Sequence, residues 1–575
     1  MCGIIGYRGP GPAKEILVEG LRKLEYRGYD SAGLALLERG GIAVYKRAGK
    51  VAELVQALPG DLKGGVGVAH TRWATHGGVS DVNAHPHLSC DGSVAVVHNG
   101  IIENYEQIKA SLAKKGHRFV SETDTEIIAH LLEGARGPRD ILRRVSRLEG
   151  SFAFCALLSD GRLVGYRRGA PLILGVGQRE LFIASDVLAF LKHTDKVVFM
   201  DNGELAVLEE GGYALFSPDG RRISRHPDQV AWEVAAGEEE ALQHRTLSEI
   251  LEQPSAIKRT LQVDVAKLAE LIGEYGHVFF VAAGSSYHAS LVGKYLLAKE
   301  ARIRAEAILA SEFTAYEELV DDALLVAISQ SGETADVLEA VARAKQRGAR
   351  VFSIVNVPSS TLARESDHVL YIEAGPERGV AATKSFTCQV ALLLKLTERL
   401  AGRDYGLSSL PGLLNATLGA CEEGAKSLAK LLSRSQDVFY LGRGINFPLA
   451  LEGALKLKEL AYIHAEGLAG GELKHGPLAL IAEGVPVIAL APSDESRRDM
   501  MNNIREVRAR GGYVIGISDA RDDAFSYHLK LPKAGPMLYC VLEAVPLQLI
   551  AYYTTLERSL NPDYPRNLAK SVTVK

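Results

Sequence analysis

The sequence predicts a multidomain chain, an α+β unit followed by two copies of one α/β unit built on parallel sheets. Three observations carry this reading. At roughly 150 residues per domain, 575 residues supply about three or four domains. Near residue 245 the texture changes, from short β runs grouped with a few helices to a recurring order of buried strand, Gly-rich turn and amphipathic helix. The second texture also repeats itself. His277–Val281 with Gly284 matches Asp437–Leu441 with Gly444, 160 residues on, and Glu312-Phe313 meets Glu472-Leu473 at the same offset. Gly348–Ile354 matches Gly511–Ile517 at an offset of 163, so one loop has grown by three residues.

Composition sets the limits. Hydrophobic residues make up 47% and charged residues 24%, which excludes a disordered, collagenous or coiled-coil rod as the main architecture. A formal net charge of −4, with no basic tract, argues against a nucleic acid or an anionic membrane as partner. Cys540–Tyr553 is among the longest apolar stretches, but Glu543, Pro546 and Gln548 interrupt it. The start, Met-Cys-Gly-Ile-Ile-Gly-Tyr-Arg, has no basic segment ahead of an apolar run and reads as no secretory signal. Six cysteines with no CxxC pair resemble no disulfide framework and point to a reducing cytoplasm.

In the first unit, Gly65–Ala69, Ser93–His98, Ser151–Leu158 and Leu181–Ala184 read as strands bounded by Gly, Asp and Ser. Lys196–Val207 and Tyr213–Phe216 follow as strands, with turns at Asn202-Gly203 and Gly211-Gly212. Ile16, Leu17, Leu21 and Leu24, and later Ile127, Ile128, Leu131 and Leu132, have helical spacing. Between Arg221 and His244 the chain turns polar and acidic, with Glu238-Glu239-Glu240, and this marks a linker. The boundaries expected are 1–225 for the first domain, 226–264 for a linker with a lead-in helix, 265–400 and 425–558 for the two repeats, and 559–575 for a tail.

Cys2 is the first reactive candidate. Removal of Met1 would leave it a free α-amine with a pKa of about 8, able to act as base for its own thiol. Taken alone, a cysteine at a strand start is a small buried hydrophobe. Its context is Cys2-Gly3-Ile4, Tyr26-Arg27-Gly28-Tyr29-Asp30-Ser31, Arg72-Trp73-Ala74-Thr75-His76-Gly77, Asn99-Gly100 and Thr123-Asp124. These segments resemble the glutaminase domain of the N-terminal-nucleophile amidotransferases, an αββα sandwich. The resemblance implies that Cys2 attacks the glutamine side-chain amide, with Asn99 and the Gly100 N–H as oxyanion donors. It further implies that Arg72 holds the glutamine carboxylate and Asp124 its ammonium, that His76 belongs to the glutamine pocket, and that Trp73 and Arg27 gate ammonia. His70, His76, His85, His87 and His98 cluster in the same region. No Cys or carboxylate stands at a ligand spacing with them, so structural or gating histidines are expected and no metal.

In the second unit Leu324–Ile328 is an apolar strand, and Ser329-Gln330-Ser331-Gly332-Glu333-Thr334 leads from it into a helix with Val337, Leu338 and Val341 on one face. Backbone N–H groups, the helix dipole and hydroxyls together make an anion site; a plain N-cap cluster would look the same. Gly284-Ser285-Ser286 supplies a second hydroxyl-rich turn. Both would lie at the carboxyl ends of parallel strands, where such sheets bind ligands. No Walker lysine motif occurs, which argues against nucleotide hydrolysis. Glu452, Lys456 and Glu459 share a helix face, as an ordinary surface ion-pair ladder also would.

These turns look like sugar-isomerase domains. With Glu452–Glu459, Gly471-Glu472-Leu473-Lys474-His475-Gly476-Pro477 and the ending Pro565–Lys575, the whole chain resembles the family of isomerizing, glutamine-dependent aminotransferases of fructose 6-phosphate. That resemblance implies formation of glucosamine 6-phosphate, the first step of hexosamine synthesis, with internal ammonia transfer, no cofactor, and a homodimer. It gives Glu459 the C1–C2 proton transfer and Lys456 the sugar hydroxyls. His475, from the neighbouring subunit, would open the ring, and Lys570 would form a Schiff base. Ser285, Ser286, Ser329, Gln330, Ser331, Thr334 and Val380 would bind the sugar phosphate. Leu568, Val572 and Val574 suggest that the tail docks and buries Lys570, lowering its pKa. Ala382 departs from the family, standing where a serine is expected, and so does Lys575, where an acid is frequent. Two alternatives share part of the pattern, an amidotransferase for another phosphosugar and a sugar-phosphate sensor. The first needs paired acids after a strand, whereas Asp321-Asp322 precede one; the second needs an output head.

Overall fold

Gly3–Arg8 is buried along nearly its whole length, and a strand buried on both faces must sit inside a sheet and between layers. In the computed structural model, which describes residues 2–60, 62–230 and 244–573, this strand pairs antiparallel with Val66–Arg72 on one side and Leu181–Ala184 on the other. It is a central strand of an eight-stranded sheet, and a seven-stranded antiparallel sheet forms the second layer. Alternation then fixes the layers. Ile5 and Tyr7 face the helix Ala13–Leu24, packing with Leu17 and Leu21. Ile4 faces the other sheet, against Val97 and Ala153. A third core joins that sheet's outer face to the helices Tyr105–Ala113, Glu126–Leu132 and Pro138–Val145. The result is helix, sheet, sheet, helix.

Of the two turns expected near the end of this unit, one closes a hairpin. Leu205–Glu209 and Gly212–Phe216 form the hairpin turned by Gly211-Gly212. Lys196–Phe199, however, pairs in the other sheet, with Ile173–Val176. Asn202-Gly203 therefore marks a crossing between sheets rather than a hairpin. The strands Ser31–Glu38 and Gly41–Ala48, which pair with each other, have no alternation to announce them. Glu238-Glu239-Glu240, Val574 and Lys575 lie outside the described residues.

The chain divides into two compact units, Met1–Gly237 with Ser571–Lys575, and Glu238–Lys570. In the second, two helices, Arg245–Leu251 and Gln253–Thr260, stand where one lead-in helix was expected; Pro254 falls in the first turn of the second. Two five-stranded sheets follow. In one, His277–Ala282 lies between Arg304–Leu309 and Leu324–Ser329, all parallel. In the other, Asp437–Gly442 lies between His464–Ala469 and Pro486–Leu490. Both sheets have the order 2-1-3-4-5 when their own strands are numbered along the chain. A single core joins them through the helices Lys384–Ala401, Leu410–Leu432 and Ala544–Glu557. The helical run Pro536–Glu557 is, by length and composition, apolar enough to cross a membrane, yet its most apolar 18-residue window is buried in the protein.

Candidate active site

In the first unit the end of one strand and the start of another meet at Cys2. The Trp73 backbone N–H donates to Cys2 Sγ at 3.3 Å. Burial pushes the thiol pKa up, while that N–H and the Arg72 guanidinium oppose the rise. Asn99 Nδ2 donates to the Cys2 carbonyl at 2.9 Å, so the amide expected to serve the oxyanion stands beside the nucleophile. His70 orients it. His70 Nε2 lies 3.1 Å from Asn99 Oδ1 and 2.8 Å from the His98 carbonyl, and two acceptors require that this nitrogen carry the proton. Burial holds His70 neutral, with a pKa lowered to about 3. Gly100 has φ +109°, and a Cβ there would come within 2.2 Å of the Ser151 carbonyl oxygen. Only glycine fits this position.

The other histidines brace the loop carrying Asp124. The His98 N–H meets His85 Nδ1 at 3.4 Å, which leaves His85 Nε2 to donate to Thr125 Oγ1 at 3.0 Å. Thr125 Oγ1 in turn reaches His98 Nδ1 at 2.8 Å, and Thr123 Oγ1 reaches His87 Nε2 at 3.0 Å. These rings turn to hydroxyls and backbone rather than to a common point. Asp124 accepts from the Ile102 N–H at 2.9 Å. Arg72 is buried and ties down its own loop, donating to the carbonyls of His76 and Gly77 at 2.5 and 3.0 Å. His76 packs edge-on to Tyr105, and Trp73 edge-on to Tyr29. Arg27 is engaged in a buried ion pair with Asp186, which also accepts from Tyr26 Oη.

In the second unit the hydroxyl-rich segments adjoin at the switch point of the sheet. Ala282 and Ile328 are register partners, so the segments after them lie side by side at the carboxyl edge. Ser285 and Ser286 belong to the first turn of the helix Gly284–Leu296 rather than to a free turn. Ser329 Oγ accepts from the Gly332 N–H at 3.1 Å and lies 3.3 Å from Thr334 Oγ1, just ahead of the helix Ala335–Gln346. Ser286 Oγ accepts from Gln389 at 3.0 Å. Val380 is buried in the following loop.

The helix Asn446–Ala461 packs against Gly284–Leu296 and brings its charges to this edge. Lys456 and Glu452 are each only 1% exposed in their side chains, which sets aside a solvated surface ladder. Lys456 Nζ lies 3.2 Å from Glu452, 3.1 Å from Ser285 Oγ and in ion-pair contact with Glu459. Burial opposes its charge, but the two carboxylates override this and hold the ammonium above its ordinary pKa. Burial raises the pKa of Glu459 despite Lys456, so it is a stronger base than a free carboxylate when ionised.

Sequence reasoning missed three groups here. His288 Nδ1 lies 2.7 Å from Glu452 Oε2. Glu377 is buried and takes Lys570 Nζ at 2.5 Å, so the lysine is buried as expected, 4% exposed in its side chain, but within an ion pair; Val572, one of its neighbours, is 50% exposed. Burial acts to raise Glu377, but Lys570, with the Ser385 N–H and hydroxyl, brings it down to about 2. Glu249 accepts from the Arg378 and Gly379 N–H groups, and burial beside Glu377 raises it to about 7. A carboxylate in a loop, as at Glu377, reads as solvated; only its Gly375-Pro376 neighbours hint otherwise. His475 is exposed at the end of the segment Gly470–His475.

The comparisons agree with this division. Residues 70–192 match the glutamine amidotransferase domain, and residues 271–399 and 431–558 each match the SIS domain. The glutamine–fructose-6-phosphate aminotransferase [isomerizing] of Pyrococcus horikoshii is 45% identical over the full length of both chains, and that of Thermococcus kodakarensis 46%. Among solved structures, the C-terminal domain of the glucosamine-fructose-6-phosphate aminotransferase of Francisella tularensis is 34% identical. It covers 57% of this chain and all of its own, with a TM-score of 0.53. A Thermotoga maritima glucosamine-6-phosphate deaminase is 27% identical, over 58% of this chain and all of its own, with a TM-score of 0.51.

Proposed function

The chain belongs to the family of isomerizing glutamine–fructose-6-phosphate aminotransferases, and from that premise we propose how its residues divide the reaction. The enzyme converts D-fructose 6-phosphate and L-glutamine to D-glucosamine 6-phosphate and L-glutamate. The Cys2 thiolate attacks the glutamine amide carbon, ammonia leaves, and water resolves the thioester to glutamate. Asn99 and Gly100 serve the oxyanion, Arg72 and Asp124 the two ends of glutamine, and His76, Trp73 and Arg27 border the pocket. Ammonia passes to the sugar without release, since in bulk water at neutral pH it would protonate and lose its lone pair.

At the sugar site Ser285, Ser286, Ser329, Gln330, Ser331, Thr334 and Val380 hold the phosphosugar. Lys570 condenses with the open-chain ketone. Ammonia replaces it at C2, and Glu459 moves a proton from C1 to C2, with Lys456 at the sugar hydroxyls. His475 of a second copy opens the ring. A homodimer fits the exposure of Leu319 at 63% and Leu480 at 59%, in comparable segments of the two repeats. One observation carries the sugar half, the buried Lys456 between two carboxylates at the switch point. Mass spectrometry of products from glutamine and fructose 6-phosphate tests the whole. Glutamate and glucosamine 6-phosphate in equal amounts are expected; glutamate with no amino sugar would refute it.

A further inference from the structure

The first unit holds a second group of ligand-type side chains, used by neither half-reaction. Cys90 lies in the turn between His87–Leu88 and Val94–Ile102, and His117 follows the helix Tyr105–Ala113. His130 and Glu133 stand one turn apart at the end of the helix Glu126–Leu132. One ligand atom from each of the four lies within 4.8 Å of all the others. Cys90 Sγ is 3.6 Å from His130 Nδ1, His117 Nδ1 is 3.4 Å from Glu133 Oε2, and His130 Nδ1 is 3.8 Å from that same oxygen. Around a tetrahedral Zn²⁺, with bonds of ~2.0 Å to N or O and ~2.3 Å to S, neighbouring ligand atoms stand about 3.3–3.5 Å apart. These edges need close by only a few tenths of an ångström.

The surroundings suit a cation. The Arg118 N–H donates to Cys90 Sγ at 3.2 Å, as backbone amides do toward a thiolate. The Cys90 N–H donates to Glu133 Oε2 at 3.2 Å, fixing that carboxylate toward the cluster. His130, 2% exposed, turns Nδ1 to the cluster while its other nitrogen, without a hydrogen-bond partner, faces Glu126 Oε1 at 3.6 Å. A carboxylate behind a ligating imidazole is the usual outer support of a metal-bound histidine. Glu126 is held in turn by the N–H groups of Val120 and Ser121 and by the Ser121 hydroxyl. Cys90 is exposed, so an ion has a path in.

We propose that Cys90, His117, His130 and Glu133 form a structural Zn²⁺ site. A mixed S, N and O donor set in tetrahedral array suits zinc, and four protein ligands leave no open position for chemistry. Binding forms a zinc–thiolate bond and releases the Cys90 proton to solvent. The ion ties the turn at Cys90 and the segment at His117 to the helix that begins two residues after Asp124. Sequence spacing hid the site, because its ligands come from three segments and none of the five histidines clustered in sequence takes part.

The test uses the full-length protein, stripped with chelator and titrated with Co²⁺. One equivalent is expected to give a thiolate-to-cobalt charge-transfer band and the visible bands of tetrahedral Co²⁺, bleached by stoichiometric Zn²⁺. Cys90→Ser should weaken zinc binding by at least about 100-fold, and zinc should raise the melting temperature of the wild type but not of this variant. Should Cys90→Ser fail to fold, His117→Ala, at a half-buried position, provides the same comparison. No stoichiometric uptake by the wild type, bands that survive both substitutions, or bands that vanish instead with Cys2→Ala would overturn the assignment.

Discussion

At the scale of single residues, three side chains carry the proposed chemistry and each can be removed by itself. Cys2→Ala should lower glutamine hydrolysis by at least roughly 10³-fold, with fructose 6-phosphate binding unchanged, as read by glutamate release and by sugar titration. Undiminished hydrolysis would dismiss Cys2 as the nucleophile. Glu459→Gln should slow isomerisation by about 10²–10⁴-fold, since an amide cannot cycle a proton, while the phosphate contacts persist. Lys570→Ala should bind the sugar yet yield no borohydride-trapped adduct; trapping on another lysine would reassign the Schiff base. The sequence drew attention to Cys2, Asn99 and the Glu452–Lys456–Glu459 face because each lies in a compact motif. It concealed Glu377 and His288, because their partners Lys570 and Glu452 lie 193 and 164 residues away. Contacts of that separation leave no local period.

At the scale of elements, the turn Ser329–Thr334 and the histidine ladder are the parts whose geometry can be perturbed. Gly332 has φ +65°, and a Cβ there would come within 2.2 Å of Ser360 Oγ. Gly332→Ala should cost about 1–3 kcal/mol locally and raise KM for fructose 6-phosphate more than it lowers kcat. An unchanged KM would show that this turn does not hold the phosphate. The ladder sets an acid limit. Burial lowers the pKa values of His70, His85, His87 and His98, His70 to about 3. An unfolded imidazole takes its proton near pH 6.5, so the unfolded chain binds more protons as pH falls. Stability is therefore complete above about pH 6.5 and declines as pH drops toward 3. Thermal melts of the glutaminase unit should show this loss, and His85→Gln should shrink it; a flat profile between pH 6 and 4 would contradict the neutral ladder. Apolar periodicity located most of these elements. It ran Lys196–Phe199 and Leu205–Glu209 together, because an Asn-Gly turn marks a reversal but not which sheet receives the next strand.

At the scale of the whole molecule, the two halves should separate as functions. A fragment of residues 245–575 should convert fructose 6-phosphate to glucose 6-phosphate without glutamine, because Glu459, Lys456 and the phosphate turns all lie within it. Coupled dehydrogenase detection of glucose 6-phosphate tests this, and an inert but folded dimer would show that the glutaminase unit is needed for isomerisation. The doubling of the α/β unit was legible from its fixed offset. After Pro486–Leu490, the strand matching Leu324–Ser329, the chain carries Asp494, half-buried, where the first repeat has its hydroxyl-rich turn. That carboxylate takes the Ser496 N–H at 2.8 Å and Asn446 Nδ2 at 2.8 Å. An anion built into the wall repels an arriving one. On the proposed reading the first repeat holds the phosphate and the second serves as its buttress. Sugar phosphate should saturate the protein at a single molecule per chain, and removing the Asp494 charge is the route by which the second repeat could be made to hold one as well.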